Sequence, residues 1–140
     1  MPAATSTPVR CACSRAGNKV ATGHRRGLGA ETLAVWWLRL RGFSIVARRF
    51  QPGRGTGGGE IDIVARRGGL LAFVEVKARA DRDRAAWSIS EAQKARIVRG
   101  AEIFLAQNPD LAGCRMRFDA ILVAPGQWPR HIRDAWRIQA

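Results

Sequence analysis

Residues 59–79 read GEIDIVARRGGLLAFVEVKAR, and this stretch determines how the chain is expected to fold. Two runs rich in apolar and β-branched residues, 60–66 and 70–77, flank the pair Gly68-Gly69. Adjacent glycines between two such runs are a β-hairpin signal, because glycine adopts the positive φ of tight turns without steric cost. The stretch therefore predicts two antiparallel strands joined by a tight turn.

The position of the turn fixes which residues face each other across the two strands. With the glycine pair at the turn, Asp62 is predicted to lie directly opposite Glu75. The same register places Glu60 opposite Lys77. Side chains alternate along a strand, so these four side chains point to one face of the sheet. The other face, which we expect to be the buried one, carries Ile61, Ile63, Val74 and Val76.

Two carboxylates facing each other across a strand pair repel and require a counter-charge. Lys77 can neutralise one acid, most simply Glu60, which leaves excess negative charge on Asp62 and Glu75. Oxygen ligands on a rigid strand pair suit Mg²⁺ or Mn²⁺. Such a metal activates water beside a phosphodiester, and Lys77 can orient that water or stabilise developing charge. A surface ladder of ion pairs is the alternative. It explains Glu60 with Lys77 but not the acid–acid pair.

The charge balance indicates the kind of partner. The chain has 24 Lys and Arg against 11 Asp and Glu, a formal net charge of +13. This imbalance produces a positive field that attracts polyanions, so we expect a nucleic acid, most simply DNA, as the partner. Three cysteines, an odd number, argue against a disulfide framework and favour a cytoplasmic location. No apolar run approaches the length of a membrane span, so no membrane association is expected.

The rest of the chain predicts one domain behind a basic tail. Residues 1–26 hold basic residues, no acid and little to bury, which is typical of a transit peptide or of a solvated basic arm. We favour a disordered tail and place the folded domain at 27–140. The elements expected in it are a helix at 29–41 ending at Gly42, a strand at 43–50, a glycine-rich flexible loop at 51–59, the hairpin, a helix capped by Ser88 or Ser90 and running to Gln107, a strand at 117–123, and a fifth strand or short helix within 128–140. This order predicts a mixed α/β layer fold.

Asp62, followed after twelve residues by Glu75-Val76-Lys77, resembles the PD-(D/E)xK signature of the restriction-endonuclease-like superfamily. More closely, the chain resembles the YraN-like family of small, largely uncharacterised bacterial proteins over roughly residues 27–135, a family similar in this core to archaeal Holliday-junction resolvases. The segments that carry the resemblance are Gly29-Ala30-Glu31, 59–65, 73–79, Gln93-Lys94 and Arg117-Phe118-Asp119.

The resemblance implies a restriction-endonuclease-like core, with a central mixed β-sheet flanked by helices. It implies Mg²⁺ or Mn²⁺ as cofactor and suggests a homodimer. Transferred position by position, the metal ligands are Asp62, Glu75, the Val76 carbonyl and Glu31, the catalytic lysine is Lys77, and the supporting polar residue is Gln93. One departure is Ile61, which stands where the signature has proline. Glu31 can also be a first-turn acid favoured by the helix dipole, and Gln93 an ordinary exposed helix residue.

Three functions follow as hypotheses. The first is a metal-dependent endonuclease that cleaves DNA, with branched or single-stranded DNA as the candidate substrates. The second is a nucleic-acid-binding module of repair, recombination or uptake that keeps the fold with little catalysis. The third is a nuclease directed at RNA. All three place a polyanion on the basic surface. In the two nuclease hypotheses Asp62 and Glu75 bind metal, whereas the binding module has no need of a metal there.

Smaller patterns add secondary expectations. The run Gly53-x-Gly55-x-x-Gly58 precedes a strand and opens no helix, so a dinucleotide site is not expected; a mobile loop that lets Arg54 reach a phosphate fits better. A zinc site built on Cys11 and Cys13 has the wrong ligand spacing. The remaining expectations are that Trp36 or Trp37 and Trp136 serve the core, that Trp87 stacks on a base, and that Asp119 pairs with Arg117 or Arg115.

Overall fold

The computed structural model describes residues 24–78 and 89–138 of the chain. In the described residues the elements run α1 (His24–Leu40), β1 (Ser44–Phe50), β2 (Ile61–Arg67), β3 (Leu70–Ala78), α2 (Glu91–Gln107), a single 3₁₀ turn (Pro109–Leu111), β4 (Arg115–Val123) and β5 (Arg130–Trp136). The ambiguous C-terminal segment is therefore a strand. Helix α1 begins at His24, inside the segment expected to be tail. Neither of the two helices described here has the length and apolar character needed to cross a bilayer.

The strands form one five-stranded sheet in the order β1-β2-β3-β4-β5. Pairing is antiparallel except between β3 and β4, which run parallel. Parallel neighbours need a crossover connection, and the segment containing α2 supplies it. The result is the predicted α/β architecture, a mixed sheet flanked by helices, and it is consistent with a restriction-endonuclease-like core.

The predicted hairpin register is correct over the paired part of β2 and β3. Ile63 pairs with Val74, and Arg67 pairs with Leu70 across the turn. Gly68 has a φ of 58°, the positive value that the first central position of the turn requires. The ladder ends at the Ile63–Val74 pair, one step before Asp62 and Glu75. This early end of the pairing shapes the candidate site.

Both faces of the sheet are buried, which corrects the expectation of a single buried face. Helix α1 covers one face, packing Ala34 and Leu38 on Ile63 and Val74. Helix α2 covers the other face, where its Phe104 contacts an aromatic row. Ile61 packs on the α2 side although it was expected on the same side as Ile63. A strand pair enclosed on both sides offers its polar groups to solvent only at its ends.

Two predicted helix boundaries, the end of α1 before Gly42 and the start of α2 after Ser90, are found where the sequence placed them. Gly42 follows α1 with a φ of 84°. The Phe43 N–H donates to the Leu38 carbonyl at 3.0 Å, and the Gly42 N–H to that of Arg39 at 3.0 Å, which is a Schellman termination. Ser90 is the cap of α2, and its hydroxyl accepts the Gln93 N–H at 3.1 Å. The alternative cap, Ser88, lies outside the described residues.

Asp119 is a structural residue at the centre of a buried network. Its carboxylate accepts two hydrogen bonds of 2.7 Å from Arg117, the predicted partner, and lies 2.7 Å from Nε2 of His131. It also accepts the Asp134 N–H at 3.0 Å, where β5 bulges. Burial acts to raise the pKa of Asp119, but the hydrogen bonds from His131, Arg117 and the Asp134 backbone outweigh it and hold that pKa below its usual range. The network therefore fixes the path of β5.

Candidate functional site

The candidate site lies where β2 and β3 stop pairing. One step beyond the last pair, the Asp62 carboxylate accepts a hydrogen bond from the Val76 N–H at 2.8 Å. The Asp62 side chain thus accepts a backbone N–H that would pair with the β2 backbone if the β2–β3 ladder continued. This contact positions Asp62 beside Glu75, as the register predicted, and it explains why the strands part at this point.

Glu75 is held by two donors on the same oxygen. The residue is 7% exposed. Its Oε1 accepts a hydrogen bond from Nε2 of Gln93 at 2.9 Å and lies 3.0 Å from Nζ of Lys77. Gln93 stands in the first turn of α2, immediately after the Ser90 cap, so the helix start places its amide over the sheet. Gln93 is therefore part of the site and not an ordinary exposed helix residue.

The predicted pairing of Glu60 with Lys77 is wrong. Lys77 contacts Glu75 instead, and Glu60 lies before β2 begins. There it accepts a weak hydrogen bond from Gln51 at 3.5 Å and lies 3.7 Å from Nε of Arg49. The reason is the early end of the ladder, because facing positions beyond it are no longer held opposite each other. Lys77 consequently partners an acid of its own strand.

Glu31 reaches the site from α1, and it is buried, with 5% exposure. Because α1 begins at His24, Glu31 is not a first-turn acid, and that alternative is excluded. Arg48 Nε lies 3.2 Å and Arg49 Nε 3.4 Å from its two carboxylate oxygens. Neighbouring strand residues normally point to opposite faces, but Arg49 has a φ of 52°, which interrupts the alternation. No local sequence pattern predicts these arginine contacts, because they depend on tertiary packing.

The electrostatics of the acid cluster are unusual at one residue. The pKa of Asp62 is raised from 3.8 to about 7. Burial is the largest cause, followed by the negative charge of Glu75 and, more weakly, that of Glu31. A hydrogen bond to Glu75 also favours the protonated form, whereas the Val76 N–H favours the carboxylate. Asp62 and Glu75 together therefore hold more negative charge than Lys77 compensates.

This donor set suits a hard divalent cation. Mg²⁺ is usually bound by one or two carboxylates and keeps several waters, so Asp62, Glu75 and the Val76 carbonyl are an adequate set. The pKa of Asp62 is raised first by burial and then by the negative charge of Glu75, and a bound cation would offset both by favouring the ionised carboxylate. Over residues 24–78 and 89–138, no group of three or more His, Cys, Asp or Glu side chains is arranged to hold a metal, and Glu31 is occupied by two arginines. The site is thus based on two acids.

The glycine-rich loop at 51–59 was expected to be mobile, but it lies against α2. The Gly59 N–H donates to the Arg96 carbonyl at 2.8 Å, and Arg99 Nε donates to the Thr56 carbonyl at 3.4 Å. Gly100 permits this approach, because a Cβ there would lie 2.6 Å from the Gly59 carbonyl oxygen. Arg54, the expected phosphate contact, is exposed on this loop.

The structure confirms that one residue of the Trp36-Trp37 pair and Trp136 serve the core. Trp136 is in the core, at 6% exposure, as predicted. Trp36 is 59% exposed, and its neighbour Trp37 is the one that faces inward, packing beside the α1 core cluster. Trp128, to which no role was assigned, is 75% exposed. Adjacent helix positions point about 100° apart, so only one residue of the Trp36-Trp37 pair can face the core. Trp87, Cys11 and Cys13 lie outside the described residues.

Residues 30–123 match the model of a family described as uncharacterised protein family UPF0102. The chain is 58% identical over 114 residues to a UPF0102 protein of Paramagnetospirillum magneticum, covering 81% of this chain and 88% of that protein. It is 49% identical over 135 residues to a UPF0102 protein of Parvibaculum lavamentivorans, covering 93% and 98% of the two chains. A relative from Methylorubrum extorquens is 49% identical over 116 residues, covering 83% and 88%.

Proposed function

The chain belongs to the uncharacterised protein family UPF0102, and on that premise we propose that it is a metal-dependent endonuclease that hydrolyses phosphodiester bonds in DNA. The main support for this proposal is that Asp62 and Glu75 lie together at the end of the β2–β3 ladder, with Nζ of Lys77 3.0 Å from Oε1 of Glu75. A binding surface for phosphate gains nothing from two adjacent acids, because they repel it. Acids placed together in a chain of net charge +13 support chemistry on the phosphodiester.

Each residue of the site has a distinct role in this proposal. Asp62, Glu75 and the Val76 carbonyl would hold Mg²⁺ or Mn²⁺, and the bound ion would supply a more acidic water and a positive charge beside the phosphodiester. The Val76 N–H fixes one oxygen of Asp62. Gln93 orients Glu75 from the start of α2, and because its amide donates to a single oxygen, Oε1, it restricts the rotation of the carboxylate. Neither Gln93 nor Val76 needs to exchange a proton.

Lys77 is the residue that acts on the reacting atoms. Its side chain is 23% exposed, so the ammonium lies at the boundary between the acid pair and solvent. From this position beside buried Glu75 and half-buried Asp62, Lys77 can release its contact with Glu75 and donate to a phosphate oxygen or orient a water. A cation placed where negative charge develops stabilises the transition state more strongly than it stabilises the substrate.

The nucleic-acid-binding module remains a second candidate because of one observation. Glu31, which the resemblance assigns to the metal, is held between two arginines at 3.2 and 3.4 Å. If these ion pairs persist when DNA binds, the acid set is smaller than the resemblance implies and catalysis is weak. The two candidates differ in metal affinity, which a binding module does not need.

The test is a cleavage panel with the purified full-length chain. Junction, flap, single-stranded and duplex DNA are incubated with Mg²⁺ or Mn²⁺, and titration calorimetry measures the binding of each metal alone. We expect Asp62→Asn and Lys77→Ala each to lower the cleavage rate by roughly a hundredfold or more. The matched controls are Asp110→Asn, at an exposed acid, and Lys94→Ala, at a lysine that forms an ion pair with Glu91 on α2. Both control variants should cleave DNA at the rate of the unaltered chain.

Three results separate the candidates. Cleavage that persists in Asp62→Asn points to a contaminating nuclease and contradicts the proposal. Salt-dependent DNA binding without metal affinity and without cleavage supports the binding module. Cleavage of RNA in preference to every DNA substrate would move the proposal to the third hypothesis, an RNA-directed nuclease.

A further inference from the structure

An apolar groove lies between α1 and the connection that joins β4 to β5. Its volume is about 1030 Å³, and none of the described residues that line it carries a charged side chain. Four of the five large apolar residues that are exposed in the described chain line it, namely Leu33, Trp36, Leu40 and Trp128. Large apolar patches on a soluble domain mark binding sites more often than chance, so the groove requires an explanation.

The three tryptophans of the groove differ in how far they are packed against other side chains. Trp37 is fixed, because Arg41 lies 4.6 Å above its ring and the Trp128 ring is 6.2 Å away. Trp36 and Trp128 are 59% and 75% exposed, so both offer aromatic surface to an incoming molecule. An apolar and aromatic wall fits flat aromatic ligands better than it fits extended charged chains.

The groove lies at the same end of β3 as the candidate site, on the side of the sheet that α1 covers. Its lining includes Ala78, which directly follows Lys77 in β3. Neighbouring strand residues point to opposite faces, so Ala78 faces α1, whereas Glu75, which accepts a hydrogen bond from Gln93 of α2, faces the other side. The groove and the candidate site are thus neighbours across the end of the sheet, and a single strand that passes this end can contact both.

The net charge decides between a second copy of the chain and a nucleic acid. Two chains of net charge +13 repel each other, whereas a polyanion is attracted. Bases in a duplex are stacked inside and cannot lie flat on a protein aromatic ring, but unpaired bases can, and every base has a π-face. The apolar lining suits bases, and the phosphates would remain outside the groove in the positive field.

We propose that this groove binds unpaired bases of single-stranded DNA adjacent to the phosphodiester that is cleaved. The inference rests on the proposed nuclease function and specifies its substrate class, which is DNA with unpaired nucleotides beside the cleaved bond. Trp36 and Trp128 are the stacking residues, and they determine specificity without taking part in the chemistry. Fully paired DNA meets only the electrostatic part of the surface.

The experiment measures equilibrium binding of the full-length chain to a short oligothymidylate and to a duplex of equal length. A chelator is present so that no strand is cut. Trp36→Ala and Trp128→Ala should each weaken single-strand binding roughly tenfold and leave duplex binding unchanged. Phenylalanine at either position keeps a π-face and should restore most of the affinity. Ile138→Ala, at an exposed apolar residue outside the groove, is the matched control and should bind normally.

Salt dependence separates stacking from phosphate contact. The logarithm of affinity falls with the logarithm of salt concentration in proportion to the number of phosphates neutralised. Both tryptophan variants should show the slope of the unaltered chain at lower affinity throughout. A changed slope, or equal weakening on single-stranded and duplex DNA, would show that the substitutions disturb the charged surface, and this would overturn the inference.

The remaining outcomes distinguish this inference from the proposed function. If the unaltered chain cleaves DNA, and both alanine variants keep the ratio of single-strand to duplex cleavage, the nuclease stands and the groove assignment fails. If tryptophan-dependent single-strand binding occurs without any cleavage, the groove assignment stands and the nuclease fails. If the substitutions leave single-strand affinity unchanged and instead lower the mass of the particle in sedimentation, the groove joins copies of the chain and the inference is wrong.

Discussion

Replacing Asp62 with Asn is expected to stabilise the metal-free protein at alkaline pH while it removes the proposed cleavage activity. The pKa of this carboxyl is raised from 3.8 to about 7, mainly by burial and then by the charge of Glu75. A rise of this size corresponds to about 4 kcal/mol of folding free energy lost when the group is ionised. Asp62 is only partly buried, and water screens its charge, so the expected gain is about 1 to 2 kcal/mol.

The sign of the effect depends on pH. Below pH 3.8 the carboxyl is protonated in the folded and the unfolded chain, and it contributes no pH dependence. Between pH 3.8 and about 7 the folded chain keeps the proton that the unfolded chain releases, so stability falls as pH rises. Above this window the loss is complete. The advantage of Asp62→Asn should therefore be small at the acidic end, grow through the window and remain constant above it.

The assay is urea unfolding of both chains at a series of pH values with a chelator present. Each difference is taken between the two chains at one pH, so that other titrating groups cancel. A constant gain at every pH would show that packing, and not charge, is responsible. A less stable variant at alkaline pH would refute the reasoning. Adding Mg²⁺ should stabilise the original chain, because a ligand of the folded state raises its stability, and should have little effect on the variant.

Three further substitutions test other parts of the structure. Asp119→Asn should lower the free energy of unfolding, measured in urea at neutral pH, by about 3 kcal/mol, since it breaks a buried ion pair. The pKa of Asp119 is lowered in the folded chain, so the stabilising effect of this carboxylate is lost only as pH falls through that lowered value. Gly100→Ala should lower the free energy of unfolding by about 1 to 3 kcal/mol, because the new Cβ would lie 2.6 Å from a carbonyl oxygen of the glycine-rich loop. Gly113→Ala is the control: a Cβ there has nothing within 4 Å, so its stability should be nearly unchanged. Gln93→Ala should lower the cleavage rate about tenfold, because it frees Glu75 to rotate, and Gln93→Glu should not restore it.

Local sequence signals predicted the hairpin and its register. The turn at Gly68 depends on residues next to each other in the chain, so the pairing of Ile63 with Val74 follows by counting. The helix ends at Gly42 and Ser90 are equally local. The hairpin turn and these two helix ends each depend on a few neighbouring residues, so the sequence predicts them correctly.

The contacts that were predicted wrongly or not predicted depend on side-chain hydrogen bonds and on packing between elements, which a strand pattern does not contain. Lys77 was assigned to Glu60 because the ladder was assumed to continue, but the Asp62 side chain ends it by accepting the Val76 N–H. The arginines on Glu31 come from β1, which only the assembled fold brings to α1. The burial of both sheet faces likewise requires knowing that helices cover each side, which no strand sequence states.

The contact between Gly59 and Gly100 has a consequence for the precision of the site. An α-helix rises about 1.5 Å per residue, so Gln93 lies about 10 Å along α2 from Gly100. Over that distance the helix behaves as a rigid rod, and a displacement at Gly100 reaches Gln93 nearly undiminished. A shift of half an ångström would lengthen the 2.9 Å hydrogen bond to Glu75 almost to the limit of such a bond. The absence of a side chain at Gly100, a residue outside the candidate site, thus helps to keep Gln93 within hydrogen-bond distance of Glu75.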